Sequence, residues 1–392
     1  MFTAAQLARF QQQETPFYCY DTGLLRETVN ACKLAAGKRD FHVHYALKAN
    51  VRDELLQIIL EGGFGADCVS SGEVEKAVET GFEKGKIVFA GVGKTDREIN
   101  YALDEDIFCF NVESVQELDV IDALAGARNK KARIALRINP NVDANTHHYI
   151  TTGLEENKFG INSWEFNTIV EKLQVLEHIE CIGLHFHIGS QVTDENVFKS
   201  LCVKVNEFTA WFANRGVHFK LLNVGGGLGV DYHEPDKHPI VNFETYFAIF
   251  EQFLDLRPGQ EVHFELGRAL VAQCGSLITR ALYIKKGIHT NFAVVDAGMT
   301  ELIRPALYHA YHKIENLSGE ARTSGAEVSR DDEIVKYDVV GPICESSDCF
   351  GKAVELPETL RGDLIAIRTA GAYGEVMTSS YNLRPKFSPL FL

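Results

Sequence analysis

From about residue 41 to 268 the chain alternates short apolar runs with longer amphipathic ones. Eight runs are rich in β-branched and aromatic residues and read as strands: 42–48, 64–69, 87–91, 107–112, 133–139, 181–188, 221–226 and 262–265. Between them, stretches such as 53–61, 72–80, 114–125, 164–178 and 196–214 carry apolar residues three or four apart, the spacing of a helix with one buried face. Eight strand–helix units in about 230 residues predict a closed parallel (β/α)8 barrel of the TIM type, an α/β fold, rather than an open doubly wound sheet. After residue 268 the rhythm changes. Strand-like runs at 281–285, 292–296, 333–340 and 364–369, separated by turns, predict a second, all-β domain. The expected division is a barrel over 22–268 and a β-sandwich or β-barrel domain over 269–392, joined by a strand near 17–20 from the opening segment 1–21. Residues 317–330, rich in Ser, Gly and charge, are expected to form an exposed loop.

Composition narrows the function classes. With 392 residues, 45% hydrophobic, 24% charged and 10% aromatic, the chain has the profile of an ordinary globular protein large enough for two domains. A net charge of −15 argues against nucleic acid or an anionic membrane as partner, since both need a basic face. Nine cysteines, scattered from Cys19 to Cys349, form no disulfide framework. The opening MFTAAQLARF lacks a long apolar core, so a reducing, cytoplasmic setting is expected. No apolar run approaches the roughly 20 residues that span a bilayer.

The chemically suggestive residues fall at the C-terminal ends of the expected strands, where a barrel holds its site. Lys48 ends the first strand, on the face shared by His42, His44 and Ala46. Limited access to water would favour its neutral, nucleophilic form; the plainer alternative is a strand-end lysine reaching solvent. Asp67 and Arg137 lie at further strand ends. The run Gly225, Gly226, Gly227, Leu228, Gly229 could cradle a phosphate with backbone amides, or simply turn the chain. It misses the dinucleotide fingerprint, because Val230 stands where the last glycine belongs. Ser190 at the neighbouring strand end makes a phosphate cradle plausible. His185 and His187 share a face, but the segment lacks a third metal ligand, and Cys344 and Cys349 have the wrong spacing for a zinc knuckle, so no metal is expected. A ring stacked on a flat cofactor suits His187 better. Glu265 could face a ring nitrogen or pair with Arg268. In the second domain RPALY (304–308), CESSD (344–348) and GAYG (371–374) are polar clusters in turn-like contexts.

Taken together, HYALKAN, HFHIGSQ, GGGLG, E-x-GR, RPALY, CESSD and GAYG resemble the fold-type III pyridoxal-phosphate decarboxylases over nearly the whole chain. That family shares the two-domain plan of alanine racemase and works as a homodimer with shared active sites. The likeness is strongest to members that convert meso-2,6-diaminopimelate to L-lysine and carbon dioxide, the last step of lysine biosynthesis. The resemblance implies pyridoxal 5'-phosphate as cofactor and Lys48 as the residue that binds its aldehyde covalently. It implies that His187 stacks on the ring, that Ser190, Gly225, Gly226, Gly227, Leu266, Gly267, Arg268 and Tyr373 surround the phosphate, and that Glu265 faces the ring nitrogen. Arg268, Arg304, Tyr308, Glu345 and Tyr373 are the implied substrate set. Cys344 is the implied proton donor, delivered with Glu345 across the dimer interface. Leu266 departs from the proline usual in the family's E-P-G-R motif, which loosens the backbone but keeps Glu265 and Arg268 in register. A related basic amino-acid or carboxynorspermidine decarboxylase, an alanine-racemase-like enzyme and a non-enzymatic pyridoxal-phosphate carrier are the alternatives.

Overall fold

In a closed sheet the side chains alternate between the barrel interior and the surrounding helices, and the ninth strand shows what this does. Phe264 points outward, its ring 4.8 Å from Phe247 and 4.9 Å from Phe250 on the helix Phe243–Phe253. Burying such a ring contributes about 2–3 kcal/mol. With Phe264 held outside, Glu265 must face inward.

The computed structural model describes residues 2–142, 158–319, 334–385 and 387–392. The strands are β1 (Phe17–Tyr20), β2 (His42–Ala46), β3 (Gly65–Cys68), β4 (Ile87–Phe89), β5 (Cys109–Val112), β6 (Ala132–Arg137), β7 (Ile179–His185) and β8 (Leu221–Asn223). They continue with β9 (Glu261–Leu266), β10 (Gly275–Lys286), β11 (Asn291–Val295), β12 (Ile314–Asn316), β13 (Ile334–Val340), β14 (Cys349–Pro357), β15 (Leu364–Ile367) and β16 (Leu390–Phe391). Strands β2 to β9 pair in parallel in chain order, and β9 closes on β2 with His42 opposite His263 and His44 opposite Glu265. Each of the eight expected runs overlaps one of these strands.

Helices start promptly after several strands because a hydroxyl caps them. Ser70, Thr95 and Ser114 each accept the backbone N–H three residues on, opening the helices Ser71–Thr80, Asp96–Asp104 and Val115–Ala127. Each cap stabilises its helix by about 1 kcal/mol and keeps the connection at the barrel mouth short. Inside the barrel the middle layer is apolar, built on Val88, Cys109, Ala135 and Leu221.

The chain divides into two compact units: residues 26–229 with 242–269, and residues 1–25 with 230–241 and 270–392. The segment 230–241 lies inside the 22–268 stretch of the sequence but groups with the sheet unit. There Asp236 pairs with Arg368 at 2.8 Å and the backbone of His238 accepts from Gln273. The sheet runs β12-β15-β10-β11-β13-β14, with β1 antiparallel to β10 and β16 parallel to β1. Phe10, Phe17, Cys19, Ile278, Leu317, Leu364 and Ala366 form one of its buried clusters.

Two expectations for this unit need correction. RPALY is not a turn but a short helix, Arg304–Tyr308, with proline in its first turn, where the missing N–H costs nothing. The segment from 317 begins buried rather than exposed, since Leu317 packs into the core; from residue 320 it lies outside the described residues. Strand β14 was not anticipated, because it is half exposed and carries Gly351 and Lys352 within a weak alternation.

Candidate active site

The upper layer of the barrel interior is polar. Asp67, Asn111, Arg137, His185, Asn223 and Glu265 all end or nearly end their strands, and all are buried. Glu265 is the hub. Its Oε1 accepts from Asn111 Nδ2 at 2.9 Å and Asn223 Nδ2 at 2.7 Å, and its Oε2 accepts from His185 Nε2 at 2.9 Å. Burial alone would raise its pKa, but His185, followed by the more distant His187 and Lys48, outweighs burial and holds the carboxyl well below the usual carboxylate range. Asp67 behaves oppositely: burial first, then the Glu265 charge, pushes it well up, against the pull of Lys48 and Arg137. Two carboxyls near one amine are thus shifted in opposite directions.

Lys48 sits two residues past the end of the strand that was expected to end with it. It lies in a single 3-10 turn, Leu47–Ala49, whose flanking side chains are buried while the lysine is half-buried. His187 lies beyond β7. Desolvation, then Lys48 and Arg137, depress its ring well below 6.5, so it is neutral near pH 7. Its Nδ1 accepts the Gly226 N–H at 3.4 Å.

The glycine loop is tied to the same hub. Asn223 Oδ1 accepts the Gly225 N–H at 2.9 Å while its amide nitrogen donates to Glu265, so one side chain couples loop and carboxylate. A Cβ on Gly226 would collide with the carbonyl oxygen of Glu265, which leaves glycine as the residue that lets the two strand ends approach. Ser190 Oγ accepts from Arg268 Nε at 3.1 Å and Nη2 at 3.0 Å, placing a guanidinium and a hydroxyl side by side. Leu266 is buried on the opposite face of β9 from Glu265, so any part it plays is through its backbone. Gly267 packs against Ala46 and Ala49 on either side of Lys48.

The sheet unit holds the remaining residues. Arg304 is buried, its guanidinium 5.7 Å from the Tyr232 ring and 5.9 Å from the Tyr308 ring. His312 Nδ1–H donates to the Arg368 carbonyl, which leaves Nε2 to accept from Arg304 Nε at 3.3 Å. Cys344 and Glu345 are exposed, and Glu345 accepts from Tyr381 O–H at 2.8 Å. Tyr373 is half-buried at a backbone φ of 55°, an angle most residues avoid.

Sequence reasoning missed Asn111 and Asn223 and treated His185 only as a possible metal ligand. The available signal was a polar residue at an inward position near the end of an apolar strand.

A covalent aldehyde, a basic ring nitrogen and a phosphate on one flat ring match this donor set. The amine, the ionised carboxylate and the loop with Ser190 and Arg268 are complementary to them, and the neutral His187 ring suits the flat face. The fold and the site define a pyridoxal-phosphate enzyme built on a closed barrel with an appended sheet unit. A family profile described as "Pyridoxal-dependent decarboxylase, pyridoxal binding domain" matches residues 23–272, and the chain belongs to that family. Among its relatives, the diaminopimelate decarboxylase of Bacteroides thetaiotaomicron is 53% identical over 377 residues, covering 96% of this chain and 95% of the relative. That of Helicobacter pylori strain J99 is 41% identical, covering 100% and 93%. The crystal structure of the Helicobacter pylori diaminopimelate decarboxylase complexed with L-lysine superposes with a TM-score of 0.90 at 40% identity, covering 99% of this chain and 94% of the other.

Proposed function

We propose that the protein decarboxylates meso-2,6-diaminopimelate to L-lysine and carbon dioxide. The observation that carries the chemistry is the buried Glu265, held ionised at the barrel mouth by Asn111, Asn223 and His185. The substrate is supported by the relatives, which bear the name of that activity, and by the lysine complex of one of them.

Pyridoxal phosphate, when bound, supplies an electron sink for the charge left at the carbon that loses carbon dioxide. Lys48 would hold the cofactor through its aldehyde. Glu265 keeps a proton on the ring nitrogen through its charge. His187 would face the ring, and Ser190, Gly225, Gly226, Gly227, Gly267 and Arg268, with Tyr373, would hold the phosphate. Leu266 contributes its backbone. Cys344 returns a proton to the carbon, so the product gains one hydrogen for the carboxylate it loses. Arg304 with Tyr308 reads the distal carboxylate, for which a planar guanidinium is suited, and Glu345 takes the distal ammonium. The barrel, near 22–268, carries most of the cofactor residues; residues 269–392 with 1–21 carry most of the substrate set. The exposure of Cys344 and Glu345 fits a homodimer in which each chain completes its partner's site, in the cytoplasm as a reducing compartment. Among the described residues no helix is long and apolar enough to cross a membrane, and all nine cysteines are free.

The test is carbon dioxide release by purified protein with added pyridoxal phosphate. Release is expected from meso-diaminopimelate and not at a comparable rate from L-lysine, L-ornithine or L-arginine. Arg304→Ala is expected to lose most of that activity. Comparable turnover of L-lysine or L-ornithine would discard the reading of Arg304, and no release from any substrate would favour a carrier.

A further inference from the structure

The opposite end of the barrel carries a second cluster of chemistry. His42 opens β2, and Glu261 and His263 open β9, so the three side chains sit where the last strand closes on the first. One ligand atom from each lies within 4.8 Å of the other two. The His42 and His263 rings are neighbours across the closing strand pair, with centroids 4.6 Å apart.

Hydrogen bonding determines which nitrogen of His263 faces this cluster. The Lys86 carbonyl can only accept, so His44 Nδ1, 2.9 Å away, carries the proton and donates to it. His44 Nε2 then presents a lone pair to His263 Nδ1 at 2.8 Å, and His263 Nδ1 must donate. With Nδ1 committed to His44, the other ring nitrogen of His263, Nε2, faces Glu261 Oε2 at 3.5 Å. That distance is too long for a charge-assisted hydrogen bond. It is close to the separation of about 3.4 Å between two ligands of a tetrahedral zinc ion with bonds near 2.1 Å. A ligating histidine that donates its other N–H to a buried acceptor is the usual support of such a site. Gly65 is part of that support, because a Cβ there would occupy the space between Lys86 O and His44.

We propose that His42, Glu261 and His263 form a divalent-cation site of the zinc type at the N-terminal end of the barrel. Two imidazoles and one carboxylate select zinc, cobalt or nickel over magnesium or calcium. His42 and Glu261 are exposed and His263 is buried. The ion links β2 to β9 at the seam of barrel closure, at the far end of the strands from Lys48 and Glu265.

The experiment uses untagged holoenzyme dialysed against chelator, titrated with Zn²⁺ by calorimetry and with Co²⁺ by absorbance. The expected result is one ion per chain, a cobalt spectrum without a strong thiolate charge-transfer band, and a higher melting temperature with the ion. His42→Ala and Glu261→Gln, at exposed positions that leave the fold and the decarboxylase rate unchanged, should each weaken binding at least about tenfold. Equal binding by wild type and both variants, a thiolate band that traces the ion to cysteine, or no ion bound by wild type would each overturn the site.

Discussion

Both ends of the Asn223 amide are engaged at the barrel mouth, one by the Gly225 N–H and one by Glu265. Asn223→Ala leaves Glu265 with Asn111 and His185 but removes one hydrogen bond to a buried charge, a loss of about 1.5–3 kcal/mol. If that energy positions the carboxylate for the cofactor, affinity for pyridoxal phosphate falls about 10–100-fold. Titrating the apoprotein with the cofactor, followed by absorbance, measures this; unchanged affinity would show that Asn223 serves only the fold. At this scale the sequence was partly readable. Lys48 and Glu265 stood out as ionisable residues at strand ends, whereas Asn111 and Asn223 looked like ordinary polar residues. Their importance lies in which strands become neighbours, and β5, β7, β8 and β9 contribute to one carboxylate from positions up to 154 residues apart.

The strand ends and the loops beyond them form the next level. The turn after β8 passes so close to β9 that Gly226 has no room for a side chain. Gly226→Ala is expected to force the two strand ends apart, destabilise the protein by about 1–3 kcal/mol and abolish tight cofactor binding. Thermal unfolding together with cofactor titration checks it, and a variant with normal affinity would show that the loop adapts. The alternation of strand and helix was legible because period 2 and period 3.6 are local properties of the chain. RPALY as a helix and β14 as a strand were not. A five-residue helix gives too few turns to show a period, and a half-exposed strand has little hydrophobic contrast.

At the scale of the whole molecule, the residues proposed for cofactor and substrate come from two compact units. If Cys344 serves the partner's Lys48, two inactive variants should rescue each other. Mixing Lys48→Ala with Cys344→Ala after reversible dissociation gives mixed dimers with one intact site, and about one quarter of wild-type sites overall in a random two-fold assembly. The rate of carbon dioxide release reads this directly. No recovery from verified mixed dimers would mean that Cys344 acts within its own chain.

The alternating hydrophobic pattern by itself determined the barrel, its eight strand positions and the sheet-rich character of the second domain, because burying one face of each element permits few other arrangements. The polar motifs determined the family resemblance. Only the tertiary structure decided that Glu265 is an ionised hub bonded to Asn111, Asn223 and His185, that Lys48 sits in a turn beyond its strand, and that residues 230–241 group with the sheet unit. It also decided that His42 and His263, far apart in the chain, meet at the closing seam. Each of these depends on long-range strand pairing and on the loss of water around buried charges, which no local stretch of sequence encodes.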